Sequence, residues 1–168
     1  MILIAGLISF GWLGQHARTA QSPRADANNI AETSCQLLRV IDGDTIRVNC
    51  NNEVYSIRLL RINTPERGRR GFEDATRALK DILGHDDLTV RFETPTRPEK
   101  DRFGRTLGYV FVGDTKNASI EIVRRGWSTY WTKYGYGKYR TAFESAEQEA
   151  RMKHSGLWSF DTPPSSYE

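Results

Sequence analysis

The 168-residue chain has only two cysteines and three histidines, and no apolar run of the roughly 20 residues that a membrane-spanning helix needs. Each scarcity excludes a class of chemistry. His16, His85 and His154 show no metal-ligand spacing such as H-E-x-x-H, and two cysteines better used in a bridge leave no zinc site. Two-histidine ribonuclease chemistry would have to use His85 and His154, and neither stands beside a plausible site. No local signature of Ser-His-Asp catalysis is present either. The histidines therefore read as solvated surface residues. Neither sign of charge dominates: 24 Lys and Arg face 21 Asp and Glu, a net charge of +3. That balance is compatible with a polyanionic partner without establishing one, so the clustering of arginines carries more information than their number. Internal repeats and low-complexity tracts are also missing, and the length suits one domain with an ordinary core.

What is present begins with an apolar N-terminus. MILIAGLISFGWL (residues 1–13) has the length of a signal-peptide apolar region, and Ala25-Asp26-Ala27 offers an A-x-A cleavage site. No Lys or Arg precedes the apolar run. The expectation is a signal peptide or N-terminal anchor over 1–27, then a linker over 28–34. The chain is then exported, to a periplasm or the medium, or tethered to a membrane by residues 1–13. The cysteines favour export. If Asp42-Gly43 forms a two-residue hairpin loop, residue numbers paired across it add to 85, as do those of Cys35 and Cys50. The two thiols would then face each other at a separation a disulfide closes, the alternative being two reduced cysteines in a sheet.

From Cys35 the chain reads as short strands with clear punctuation. QLLRVI and TIRVNC flank Asp42-Gly43, and Asn51-Asn52 turns the chain into VYSIRLLRIN. FEDATRALKDIL has helical spacing and stops at Gly84; LTVRFE and TLGYVFV are a fourth and a fifth strand around a basic, proline-bearing loop. ASIEIVRRG predicts a short helix closed by Gly126, WSTYWTKYGYGKY an irregular aromatic loop, and TAFESAEQEARMKHSG a terminal helix. Five strands with a helix between the third and fourth is the element order of an OB-fold barrel. The expected class is α+β: a five-stranded OB-fold barrel with about three packed helices over 35–160, and a flexible tail over 161–168.

The candidate chemistry gathers at RLLRINTPERGRRG (58–71), where a lone glutamate follows a proline among arginines. Asp42 and Asp44 bracket a turn, while Asn63 and the Thr64 carbonyl end the third strand. Carboxylate, amide oxygen and backbone carbonyl are all Ca2+ ligands, although D-G-D taken alone is above all a turn. Arg58 and Arg105 have the planar fork that matches phosphate oxygens, and they stay charged at any working pH. Two such groups beside a divalent cation would stabilise the extra charge of a pentacoordinate phosphorus. Glu66, its backbone limited by Pro65, would orient or deprotonate water. The aromatics from Trp127 to Tyr139 either stack on unpaired bases or pack the loop on the barrel; packing is expected for most, with Tyr134 kept as a pocket candidate. RGRR (67–70) either tracks a phosphate backbone or is a solvated turn.

VIDGDTIRV (40–48), RLLRINTPE (58–66) and KDRFGRTLGYV (100–110), in that order, resemble the three signature blocks of the staphylococcal nuclease (thermonuclease) family. LWS (157–159) resembles the tryptophan that closes the family's last helix, so the resemblance covers roughly residues 35–160. It implies an OB-fold barrel with three helices, monomeric by family default, and Ca2+-dependent cleavage of DNA and RNA to 3′-phosphate ends. By the resemblance Asp44 and the Thr64 carbonyl are metal ligands, Arg58 and Arg105 bind phosphate, and Glu66 is the proposed general base. Arg102 and Phe103 stand where the family has a lysine and a tyrosine near the nucleotide phosphate, and Tyr134 roughly matches a base-pocket tyrosine. One position departs: Asn63 replaces an aspartate. It keeps an oxygen donor but removes a negative charge, so weaker Ca2+ binding is expected. That departure also motivates the alternative of a catalytically weak or inactive nuclease-like domain that binds nucleic acid or a protein partner.

Overall fold

A computed structural model describes residues 32–84, 87–94, 98–113 and 115–160. The leader, its cleavage site, His16, His85 and the tail after 160 lie outside the described residues. Six strands and three α-helices follow in chain order: β1 Glu32–Val40, β2 Thr45–Cys50, β3 Glu53–Leu59, α1 Phe72–Leu83, β4 Asp87–Arg91, β5 Thr106–Val112, β6 Lys116–Asn117, α2 Ala118–Arg124 and α3 Arg140–Met152. A 3-10 turn at Gly156–Ser159 closes the set.

The sheet runs β3-β2-β1-β4-β5-β6, and a parallel pairing of β3 with β5 closes it into a five-stranded barrel. The expected α+β barrel with three helices is what the chain forms. Closure leaves few strand edges free for association with other chains. Alternation fills the interior: along β2, Ile46, Val48 and Cys50 are buried while Arg47 is exposed. The same core takes in α1, whose Ala75, Ala78, Leu79 and Ile82 recur at helical spacing and are buried. Its C-terminus at Leu83, followed by Gly84 with φ 58°, matches the stop expected from sequence. Asn117 starts α2 by accepting from the Ser119 and Ile120 N–H groups. Phe143 of α3 stacks on Tyr130, centroids 4.9 Å apart. Tyr130 and Tyr139 therefore pack the loop, as expected for most of these aromatics.

The Cys35–Cys50 disulfide forms, but the premise behind it fails in part. Beside the turn, Val40 pairs with Ile46 and Arg39 with Arg47, so the numbers add to 86. A β-bulge between Leu37 and Arg39 then shifts the register, and Leu37–Val48 and Gln36–Asn49 add to 85. Asp42-Gly43 is thus part of a longer turn, in which the Ile41 and Asp42 N–H groups both donate to the Thr45 carbonyl. Gly43 is needed for close approach: a Cβ there would lie 2.7 Å from Thr64 Oγ1 and 2.8 Å from the Ala75 Cβ. Asn51 and Asn52, with φ of 53° and 66°, make the two-residue turn expected between β2 and β3. A second correction concerns β3, which ends at Leu59 rather than Asn63. Arg61 takes φ 65° and breaks the strand, and the chain leaves the sheet as a loop.

Candidate active site

That loop, the β1–β2 turn, the 99–105 loop and the aromatic segment 131–134 wall a cleft of about 650 Å3. Asp44, Arg58, Asn63, Thr64, Glu66, Arg102, Phe103, Arg105 and Tyr134 all line it, so every expected site residue outside the disulfide meets there.

Asp44 is the centre of a buried network, at 6% exposure. Its Oδ2 accepts from the Thr64 N–H and the Thr64 hydroxyl, each at 3.1 Å. Oδ1 accepts from the Thr45 hydroxyl at 3.1 Å and is ion-paired with Arg58 Nε at 3.2 Å. The backbone adds to this, because the Asp44 carbonyl accepts from the Leu59 N–H. Asp42 Oδ1 accepts from the Asp44 N–H at 3.0 Å. Burial, and then the negative charge of Asp44, push the Asp42 carboxyl above the usual carboxylate range.

The two arginines differ. Arg58 is 8% exposed, and burial pushes its guanidinium below its ordinary pKa. Besides Asp44, Nη1 donates to the Leu59 carbonyl at 2.6 Å, while Nη2 donates to the Ile62 carbonyl at 2.9 Å and to Asn63 Oδ1 at 3.3 Å. Arg58 therefore holds the whole turn from 59 to 63 against the barrel. Arg105 is more open: Nε donates to Asp101 Oδ2 at 2.7 Å and Nη1 to the Thr45 hydroxyl at 3.0 Å. Its Nη2 has no protein partner among the described residues. Burial works against the Asp101 carboxylate, yet hydrogen bonds from Arg105 and from the Arg105 and Phe103 backbone N–H groups hold it below its ordinary range.

Thr45 thus links the two arginines, accepting from Arg105 and donating to Asp44. It and Asp101 were missed in sequence, although both had a signal: Thr45 directly follows D-G-D, and Asp101 stands four residues before Arg105. Ser128 had none. Its hydroxyl accepts from the Asn63 N–H at 2.8 Å, a contact between residues 65 apart in sequence. Arg61 is a further absentee, reaching the Tyr134 and Gly135 carbonyls at 2.8 Å and Glu93 at 3.3 Å. Tyr109 donates to the same Glu93 oxygen at 2.6 Å, and burial followed by that bond raises the phenol pKa. This trio binds the aromatic segment to the barrel. Gly137, with φ 69°, permits it, since a Cβ there would lie 2.4 Å from both Arg61 Nε and the Tyr109 hydroxyl.

The remaining expected residues sit on the open side. Glu66 is exposed, and its carboxylate has no protein hydrogen bond among the described residues. Phe103 is 68% exposed with Arg102 over its ring at 4.7 Å, and Tyr134 is 72% exposed, edge-on to Trp131 at 5.2 Å. Trp131 also lies under Arg58, 5.8 Å from ring centre to guanidinium, and its Nε1 is buried without a partner among the described residues. In RGRR, Arg67 stacks on Phe72 and Arg70 on Phe160, so two of its three arginines rest on rings.

Among the described residues no three His, Cys, Asp or Glu side chains converge as a metal cluster. A cation here would depend on the Asp44 carboxylate, the Asn63 amide oxygen and the Thr64 carbonyl. These are hard oxygen donors, which fit Ca2+ and not a thiolate- or imidazole-seeking metal. Two of the four groups donating to Asp44 are hydroxyls, which rotate, so its lone pairs can be released without moving the backbone.

The family profile described as staphylococcal nuclease homologue matches residues 56–160. "Micrococcal nuclease" from Shigella flexneri is 34% identical over 131 residues, covering 74% of this chain and 72% of that protein. An "Uncharacterized endonuclease" from Escherichia coli is 32% identical over 135 residues, covering 79% and 82%. "Thermonuclease" from Staphylococcus intermedius is 27% identical over 141 residues, covering 80% and 82%.

Proposed function

The chain belongs to the staphylococcal nuclease family, and on that premise we propose that it is a Ca2+-dependent endonuclease that hydrolyses DNA, RNA or both to 3′-phosphate products. The observation that carries this reading is the convergence of Asp44, Arg58 and Arg105 through the Thr45 hydroxyl, with Glu66 on the same cleft. Asp44, Asn63 and the Thr64 carbonyl would hold the ion, which when bound supplies positive charge for a phosphoryl oxygen. Arg105 meets a non-bridging oxygen with Nη2, while Asp101 and Thr45 fix the direction of its fork. Arg58 supplies positive charge at short range and keeps the 59–63 turn in place. Glu66 takes a proton from the attacking water, and its lack of protein partners among the described residues leaves it free to do so. Arg102, held over the Phe103 ring, meets a neighbouring phosphate, and the exposed Tyr134 ring meets a base.

One observation favours the second reading, a domain that binds nucleic acid without cutting it. Asn63 lacks the charge of a carboxylate, and its amide oxygen already accepts from Arg58. Oxidised protein incubated with single-stranded and supercoiled DNA across a Ca2+ series decides between them. Cleavage that EDTA abolishes and Glu66→Ala loses supports the nuclease. Binding without product at every Ca2+ level supports the second reading. Export is part of the proposal, supported by a buried disulfide, which persists in oxidising compartments. Among the described residues no helix is long and apolar enough to cross a membrane.

A further inference from the structure

Arg39 and Arg47 are direct partners across β1 and β2, and both are exposed. Like charges placed directly opposite each other destabilise a sheet. Two other arginines are matched, the half-buried Arg91 with Glu32 and the exposed Arg140 with Glu144. Among the described residues these two have no ion pair, hydrogen bond or ring contact. The β-bulge at Leu37 to Arg39 brings Arg39 opposite Arg47, and bulges beside functional sites commonly re-aim a side chain in this way.

Strand parity says what they would face. Paired residues share a sheet face, and so do residues two apart on one strand. Thr45 pairs with Arg58, and Arg47 stands two residues from Thr45. Arg39, Arg47, Thr45 and Arg58 therefore occupy one face, and Arg105 reaches that face through Thr45. The arginine pair is one step, about 6.6 to 6.8 Å, along β2 from the phosphate-binding group.

We infer that Arg39 and Arg47 are a backbone subsite that holds phosphates of the substrate strand beyond the cleft. The subsite rests on the nucleic-acid reading given above and extends it: the preferred substrate is a strand long enough to leave the cleft and cross the β1–β2 ribbon. It reads no sequence, because guanidinium contacts to phosphate carry none.

The test measures binding of the oxidised full chain to an oligothymidylate in EDTA, as the slope of log affinity against log salt. Each phosphate contact contributes about 0.7 to that slope on a single strand. Arg39→Gln combined with Arg47→Gln should reduce it by about 1.4, and the Arg→Lys pair should keep most of it. Ser56→Lys, which adds a cation opposite Arg47 on the same face, should raise it by about 0.7. Cleavage of a dinucleotide should be unaffected by the Gln pair, while KM for a long strand rises. An unchanged slope in the Gln pair and in Ser56→Lys overturns the subsite. So does loss of binding to anionic phosphatidylserine vesicles with the DNA slope intact, which would assign the patch to a lipid surface. The slope is read without turnover, so a chain that cuts nothing would defeat the nuclease reading while leaving this one to its own result.

Discussion

The two walls of the cleft are built on different terms. On the barrel side, Asp44, Arg58 and Thr64 are buried, and each is held by several hydrogen bonds or an ion pair. On the loop side, Glu66, Phe103 and Tyr134 are exposed and sparsely held. The difference suits what each wall would do in the proposed nuclease. Charges that meet a phosphate are worth most when fixed in advance in a low-dielectric setting. Groups that accept variable bases or move a proton need access to solvent and room to adjust. Arg105 stands between the two, tied at Nε and Nη1 but open at Nη2.

The sharpest way to break this comparison is to truncate the two arginines separately. Both Arg58→Ala and Arg105→Ala should lower kcat by about 10^2- to 10^3-fold. Only Arg58→Ala should also lower stability strongly, by about 3–5 kcal/mol, because it strands a buried carboxylate. Loss of the more open Arg105–Asp101 pair should cost about 1 kcal/mol or less. Equal stability losses in urea denaturation would mean that the two walls are not distinct. Next in size is the disulfide, which ties the strands of the rigid wall across a sequence separation of 15. Replacing both cysteines with alanine should cost about 3 kcal/mol by urea denaturation, while kcat well below the midpoint stays the same.

Asn63→Asp should lower the Ca2+ midpoint of activity roughly tenfold by restoring one ligand charge. An unchanged midpoint would remove Asn63 from the ligand set. Smallest of all, Tyr134→Ala should weaken binding of single strands by about 1 kcal/mol, read in KM rather than kcat, and leave stability unchanged. A fall in kcat alone would put Tyr134 on the rigid side of the comparison.

Much of the fold was legible because its signals are local. The span of α1 follows from spacing that ends at Gly84, and β5 from a branched and aromatic run. The turn at Asn51-Asn52 follows from two residues that tolerate positive φ. The disulfide was legible for a partly mistaken reason: a turn longer than expected and a bulge offset each other in register. The end of β3 was hidden, since LLRIN is apolar enough to continue a strand. What ends it is the left-handed Arg61, held by contacts to residues more than thirty and seventy positions away. Within the site, residue types that announce phosphate chemistry were readable. Thr45, Asp101, Ser128 and the Arg61–Glu93–Tyr109 trio were not assigned, because an ordinary hydroxyl or carboxylate becomes a positioning group only through its neighbour.

The sequence by itself therefore determined the family, the barrel's element order and the identity of the charged groups, since these reside in short-range pattern and residue chemistry. Only the tertiary structure decided which arginine is buried and which is open, and that Thr45 joins them. It also decided that Arg39 and Arg47 share a sheet face with Thr45 and Arg58. Those properties depend on register, on barrel closure and on burial, which strand pairing sets between segments far apart in the chain.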